Sequence, residues 1–193
     1  MVLFLLSAIA LLGSPGPGIA ALILVGRTAG LSGGLRYYAG LQLGLAAAAA
    51  LSAAGLYSLL RAYPAAMRGL SVAAAIYLIY LAYKIAASPV GSSIEGRDTQ
   101  PSWTAGLLLG VANPKAYAVF ATLLASHPLS QATAASDLLL KWTLCIAVIV
   151  VVDIAWLLVG VSLNLMSIHP TVERILNLSL SAMIVGAAML TLA

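Results

Sequence analysis

Between Trp103 and Ser126 the chain carries one charged residue, Lys115, and between Trp142 and Leu163 it carries one, Asp153. Runs of this length and polarity leave few folds open. About 20 mostly apolar residues suffice to cross the hydrocarbon of a bilayer as a helix. In hydrocarbon every backbone amide and carbonyl has to be paired within the protein, and a helix does this within a single segment. Charged residues make up 7% of the 193, against about 25% in soluble domains. That share is too small to cover a globule of this size, so lipid is the solvent over most of the chain.

Six such runs are present, at residues 2–26, 37–60, 67–87, 103–126, 141–163 and 172–192. Tyr37, Tyr38, Tyr63, Trp103 and Trp142 fall at their ends, where aromatic rings sit at headgroup level. The first run has no basic residue ahead of it and continues past any plausible cleavage point, so it reads as a retained span. Connections are short except for residues 88–102, which collect Pro89, Gly91, Ser92, Ser93, Glu95, Arg97 and Asp98. This stretch reads as a linker inside a single membrane domain, 1–193, joining repeat one (about 1–87) to repeat two (about 103–193). Three spans per repeat give the repeats opposite orientation. Arg27, Arg36, Lys84, Arg97 and Arg174 fall on one side and Arg61, Arg68 and Lys141 on the other. The bias puts the first group in the cytoplasm and both termini outside.

Two of the spans are interrupted. Ser14-Pro15-Gly16-Pro17-Gly18 breaks the first and Asn113-Pro114-Lys115 breaks the fourth, at corresponding places in the two halves. Proline removes a backbone donor and clashes with the preceding turn. The helix that restarts after a break begins with unpaired amides and partial positive charge, which attract a carboxylate. Paired interruptions of this kind point to a transporter's binding site.

Asp153 lies mid-span, where an acid costs ~2.5–3.5 kcal/mol on insertion scales and marks a bundle interior or a water-filled path. It is either a structural hydrogen-bonding group or a site for a proton or a substrate amine. Lys115 lies too deep to reach either interface. It either communicates with Asp153, directly or through water or substrate, or caps freed carbonyls near its own break. Gln42 and Asn113 can each donate and accept hydrogen bonds, for substrate or for helix contact. Tyr77, Tyr80 and Tyr83 share a stripe that suits packing. Gly40-x-x-x-Gly44 and Gly106-x-x-x-Gly110 allow close helix approach, expected within the chain before any homodimer seam. Cys145 reads as a buried thiol. Scattered basic residues exclude nucleic acid as a partner, no cluster has metal-ligand spacing, and no nucleophile–base pair shares a depth, so neither a cofactor nor an enzyme is expected.

Ser14-Pro15-Gly16-Pro17, Gly40-Leu41-Gln42-Leu43-Gly44, Tyr77-Leu78-Ile79-Tyr80-Leu81, Asn113-Pro114-Lys115 and Val151-Val152-Asp153, in this order over essentially the whole chain, resemble the lysine exporter (LysE) superfamily, in particular its homoserine/threonine efflux (RhtB) branch. The resemblance implies a small bacterial inner-membrane exporter of amino acids or related metabolites driven by the proton gradient. The phenylalanine-rich run usual after Asn-Pro-Lys is reduced here to Tyr117 and Phe120.

The expectation is therefore an all-α membrane protein of six transmembrane helices, two inverted three-helix repeats with helices 1 and 4 broken. Export would proceed by alternating access and proton antiport, with a pH-independent channel or facilitator as the alternative. Asp153 and Lys115 would couple proton to substrate. Ser14, Pro15, Gly16, Pro17, Gly18, Gln42, Asn113 and Pro114 would line the substrate site.

Overall fold

The computed structural model describes residues 1–14, 16–55, 102–130, 133–165 and 170–192, with positions 62, 63, 65, 68, 69, 72, 75, 76, 79, 80, 82, 83, 86 and 87 between them. Pro15, most of the third span with Tyr77 and Lys84, linker residues 88–101 with Arg97, and Arg61 and His169 lie outside the described residues. Among those described, all regular structure is helical: α1 (Val2–Leu12), α2 (Pro17–Ala53), α3 (Trp103–Val111), α4 (Pro114–Leu124), α5 (Ala134–Leu165) and α6 (Pro170–Leu192). Two helices, α2 and α5, are long and apolar enough to cross a membrane by themselves, and α3 and α4 pass the same test together as a pair bent by 56°, a broken span or a re-entrant loop.

A straight α2 of 37 residues would measure about 55 Å, well beyond the ~30 Å of hydrocarbon. It does not run straight. Gly30 alone leaves helical geometry, at φ 65° and ψ −163°, a region essentially closed to residues with a Cβ. Gly26 and Gly34, four residues to either side, both lie against Leu157, so the chain folds back at Gly30 and both limbs share one turn of α5. The short connection expected between the runs 2–26 and 37–60 thus contracts to a single residue, because Gly30 supplies the whole reversal. The limbs stay helical up to it. Arg27, expected at the surface, is consequently inside, 6% exposed, and donates to the Asn177 side-chain oxygen of α6. The second limb ends at Ala53, with Ala54 as its cap and Gly55 at φ 86°, the left-handed stop that glycine provides.

The second limb of α2 packs on α3 through interlocked glycines. A methyl placed on Gly40 would lie 1.8 Å from the Trp103 carbonyl oxygen, and one on Gly44 2.4 Å from that of Leu107. From the other side, a methyl placed on Gly106 would lie 2.3 Å from the Tyr37 carbonyl oxygen and one on Gly110 2.8 Å from Gly44 Cα. Both Gly-x-x-x-Gly pairs are spent on each other inside the chain, backbone against backbone. The two segments run in the same direction, since contacts advance from Gly40–Trp103 to Gly44–Val111.

The fifth helix begins at Ala134, seven residues before the expected Lys141, because Thr133 and Ser136 cap it reciprocally. The Thr133 hydroxyl accepts from the Ser136 amide and the Ser136 hydroxyl accepts from the Thr133 amide, both at 3.1 Å. Lys141 is therefore about two turns inside the helix and 2% exposed. It pairs with Asp137 at 2.8 Å and donates to the Ser126 and Leu124 carbonyls at 2.7 and 3.3 Å. Asp137 in turn accepts the amides of Leu129 and Ser130 at 2.5 and 2.8 Å. This buried pair fastens the end of α4 and the following loop to the start of α5. At the far side of the molecule the Ser181 hydroxyl donates to the Ala82 carbonyl at 2.9 Å and Arg174 donates to that of Ala86 at 2.8 Å, so α6 and the chain around 82–86 run in opposite directions.

Large apolar side chains cover the outside. On α1, Val2, Leu3, Leu6 and Ile9 point outward while Phe4, Ala8 and Leu12 are buried. On α5, Val150, Val151, Leu158 and Val159 point outward while Cys145, Ile149, Asp153 and Leu157 form a buried stripe. An apolar exterior on this scale belongs against lipid.

Candidate functional site

Both interrupted spans restart in the same way. α2 takes up the helix at Pro17 with Gly16 as its cap, and α4 at Pro114 with Asn113 as its cap. In both, proline holds the first helical position, where its missing N–H deprives the helix of no bond. Neither restart has a side-chain cap. The amides of Gly18 and Ile19 therefore find no partner in their own helix, whereas Ala116 N–H is taken by the Asn113 carbonyl at 3.1 Å.

The two restarts open onto one cavity of ≈ 40 Å³, room for a few water molecules. Gly16, Pro17 and Gly18 line it from the first break, Asn113 and Lys115 from the second, and Asp153 from α5. Asp153 is 3% exposed and Asn113 is 5% exposed.

Polar groups around the cavity are held from behind. Gln42 donates from Nε2 to Asp153 Oδ2 at 2.8 Å, which fixes the carboxylate from the side of α2. Lys115 Nζ donates to the Ser14 carbonyl, so the cation of the second break caps a carbonyl freed at the first. Gly16 gives the lysine room: a methyl there would lie 3.0 Å from both Lys115 Cδ and Nζ. The Asn113 Oδ1 atom is buried with no hydrogen-bond partner. The rest of the wall is aliphatic, with Leu11, Leu12, Leu45, Val119 and Ile149.

Six of the residues singled out from sequence thus share this cavity: Gly16, Pro17, Gly18, Asn113, Lys115 and Asp153. Three others adjoin it. Ser14 takes part through its carbonyl while its hydroxyl turns back to Leu11 O at 2.7 Å. Gln42 stands behind Asp153, and Pro114 starts α4. Pro15 lies outside the described residues. Tyr80 and Tyr83, 52% and 70% exposed, do not line it. His127 lies on the loop after α4, and no group of three metal-ligating side chains occurs among the described residues.

The family model of LysE type translocators matches residues 9–193, which takes in both breaks, the glycine interlock and Asp153. The chain belongs to the LysE type translocator family. Membership implies a multi-pass membrane protein that moves amino acids or small solutes, and not an enzyme. Comparison with the curated proteins and with the solved structures finds no match.

Within this LysE type translocator, sequence reasoning missed two things. The aliphatic wall gave no signal, since a leucine facing a cavity and one facing lipid read alike in an apolar run. The Asp137–Lys141 fastening did have one, an acid four residues ahead of a base on a helix.

Proposed function

We propose that the chain exports amino acids or related small metabolites across a bacterial inner membrane by proton antiport and alternating access. The observation that carries this reading is the position of Asp153. It sits mid-helix on the buried stripe of α5, on a cavity where two interrupted helices restart. A carboxylate retained at that depth, facing inward, marks a path for ions or substrate.

In the proposed cycle Asp153 exchanges a proton for the substrate's ammonium group. Gly16 and Gly18 bring backbone amides and the positive end of a helix to the substrate carboxylate. Lys115 holds the two breaks together and tunes the acid, while Gln42 keeps the carboxylate in place. The topology proposed with it is six spans in two inverted repeats. It draws support from the likeness of the two restarts, each with a proline at the first helical position, and from the opposed directions of α6 and the chain around 82–86. Placement in the homoserine/threonine efflux branch rests on the motifs that carry the resemblance.

The test is transport by purified protein in proteoliposomes under an imposed pH gradient. Asp153→Asn is expected to abolish gradient-driven movement while leaving counterflow measurable. Gradient-driven export that survives the substitution removes Asp153 from the coupling step, and wild-type flux indifferent to pH replaces antiport by facilitated passage.

A further inference from the structure

The cavity wall carries acceptors, donors and aliphatic side chains. Two acceptors come from different helices. Asp153 contributes its carboxylate, one oxygen of which receives Gln42 Nε2 at 2.8 Å. Asn113 contributes Oδ1, buried and without a partner in a residue 5% exposed. An asparagine capping a helix ordinarily gives this oxygen to an amide of the first turn. Asn113 caps α4 with its backbone position but makes no side-chain cap bond, so its acceptor is withheld from the helix in a residue that lines the cavity. Buried acceptors are rarely left unmet, and a ligand donor is what this one lacks.

The donors are the first-turn amides of Gly18 and Ile19, unmatched within their own helix, and the Lys115 ammonium that also holds the Ser14 carbonyl. The aliphatic lining includes Leu11, Leu12, Leu45, Val119 and Ile149, and Asp153 is the only carboxylate on the lining among the described residues. A basic side chain would set its charge against these aliphatic carbons, and an acidic one would do so once the donors hold the α-carboxylate. Either burial is costly without a partner.

Resting on the export reading, we infer that the substrate is a zwitterionic amino acid with a neutral aliphatic side chain, and that Asn113 determines specificity by requiring, with Asp153, a primary ammonium group. Substrates whose nitrogen is acylated lose the charge and keep a single N–H donor for two acceptors. Entry parts the two restarting helices, because the cavity of ≈ 40 Å³ holds water and not an amino acid.

The experiment is counterflow of radiolabelled L-valine by the full chain in proteoliposomes, with L-lysine, L-glutamate, N-acetyl-L-valine and 3-methylbutanoate as competitors. Valine is expected to move, and the charged and acylated compounds to compete at least roughly a hundredfold less well. Asn113→Ala is expected to weaken valine roughly ten- to a hundredfold, the size of one hydrogen bond to a charged group, and to leave 3-methylbutanoate unaffected. The preference for the amino compound therefore collapses, which loss of fold alone does not produce. Val119→Glu, which adds a carboxylate to the aliphatic side, is expected to admit lysine. Lysine or N-acetylvaline moving as well as valine in the wild-type protein overturns this inference and leaves export standing. An unchanged valine-to-methylbutanoate ratio in Asn113→Ala overturns the role of Asn113. If none of the amino acids moves, this inference and the export reading fall together.

Discussion

The glycine interlock between α2 and α3 supports a quantitative prediction, because an internal control exists in the same protein. A methyl added at Gly40 meets the Trp103 carbonyl oxygen at 1.8 Å, and one at Gly44 meets that of Leu107 at 2.4 Å. Reaching even 3.0 Å, below which such contacts essentially never occur, requires the helices to part by about 1.2 Å at Gly40 and about 0.6 Å at Gly44. The opposing atoms are backbone, so no side chain can swing away. Overpacking of this kind costs about 1–3 kcal/mol or more, with Gly40 at the upper end, and replacing a helical glycine by alanine returns up to about 1 kcal/mol. The net for Gly40→Ala is a loss of at least ~2 kcal/mol, roughly 4–8 °C in Tm for a chain this long. Gly44→Ala should lose about half as much. At Gly186, on α6, nothing lies within 4 Å of an added methyl, so Gly186→Ala keeps only the gain and its Tm is expected to hold or rise. The interlock also sets the cavity: Leu45 follows Gly44, Asn113 stands three residues past Gly110, and both line it. Transport should therefore fall in Gly40→Ala and not in Gly186→Ala. Thermal unfolding of the three purified variants in one detergent measures this. Gly40→Ala unfolding with Gly186→Ala, within error, would refute the packing argument.

Three further outcomes follow from the polar contacts. Lys115→Met removes the ammonium that joins the second break to the Ser14 carbonyl. Transport in proteoliposomes is expected to drop roughly ten- to a hundredfold, with the protein still monodisperse. Lys141→Met leaves the Leu124 and Ser126 carbonyls and the Asp137 carboxylate without their cation. It should lower Tm more than Asp137→Asn does, and the double variant should recover part of the loss, since removing both partners strands no charge. Asn177→Ala takes an acceptor from the buried Arg27 guanidinium, and a loss of about 1.5–3 kcal/mol is expected by thermal or denaturant unfolding.

The two breaks and the mid-span acid are legible in the sequence because each violates a strong rule. Proline inside an apolar run ends one helix or begins another, and a carboxylate there has to turn inward. Their convergence on one cavity follows from contacts far apart in sequence, above all the link from Lys115 to Ser14, and no local pattern announces it. Gln42 reads equally well as a substrate group or as helix glue; only the placement of its limb beside α5 decides that it holds Asp153. The hairpin at Gly30 is hidden for a different reason. Gly26, Gly30, Gly33 and Gly34 look alike as letters, and only the backbone angles single out Gly30 as the turn. Arg27 and Lys141 depart from expectation because a charge near the end of an apolar run normally sits in the headgroups. Here each finds a buried partner, in Asn177 and in Asp137.

The most direct test of the cavity as the transport site is chemical modification of Val119→Cys, made in a Cys145→Ala background. Val119 lines the cavity, and Cys145 is wholly buried. A small water-soluble methanethiosulfonate reagent should modify the introduced thiol from the cavity, stop transport, and do so several-fold more slowly when a transported amino acid is present. Modification that no transported amino acid slows, or that leaves transport intact, would contradict the account.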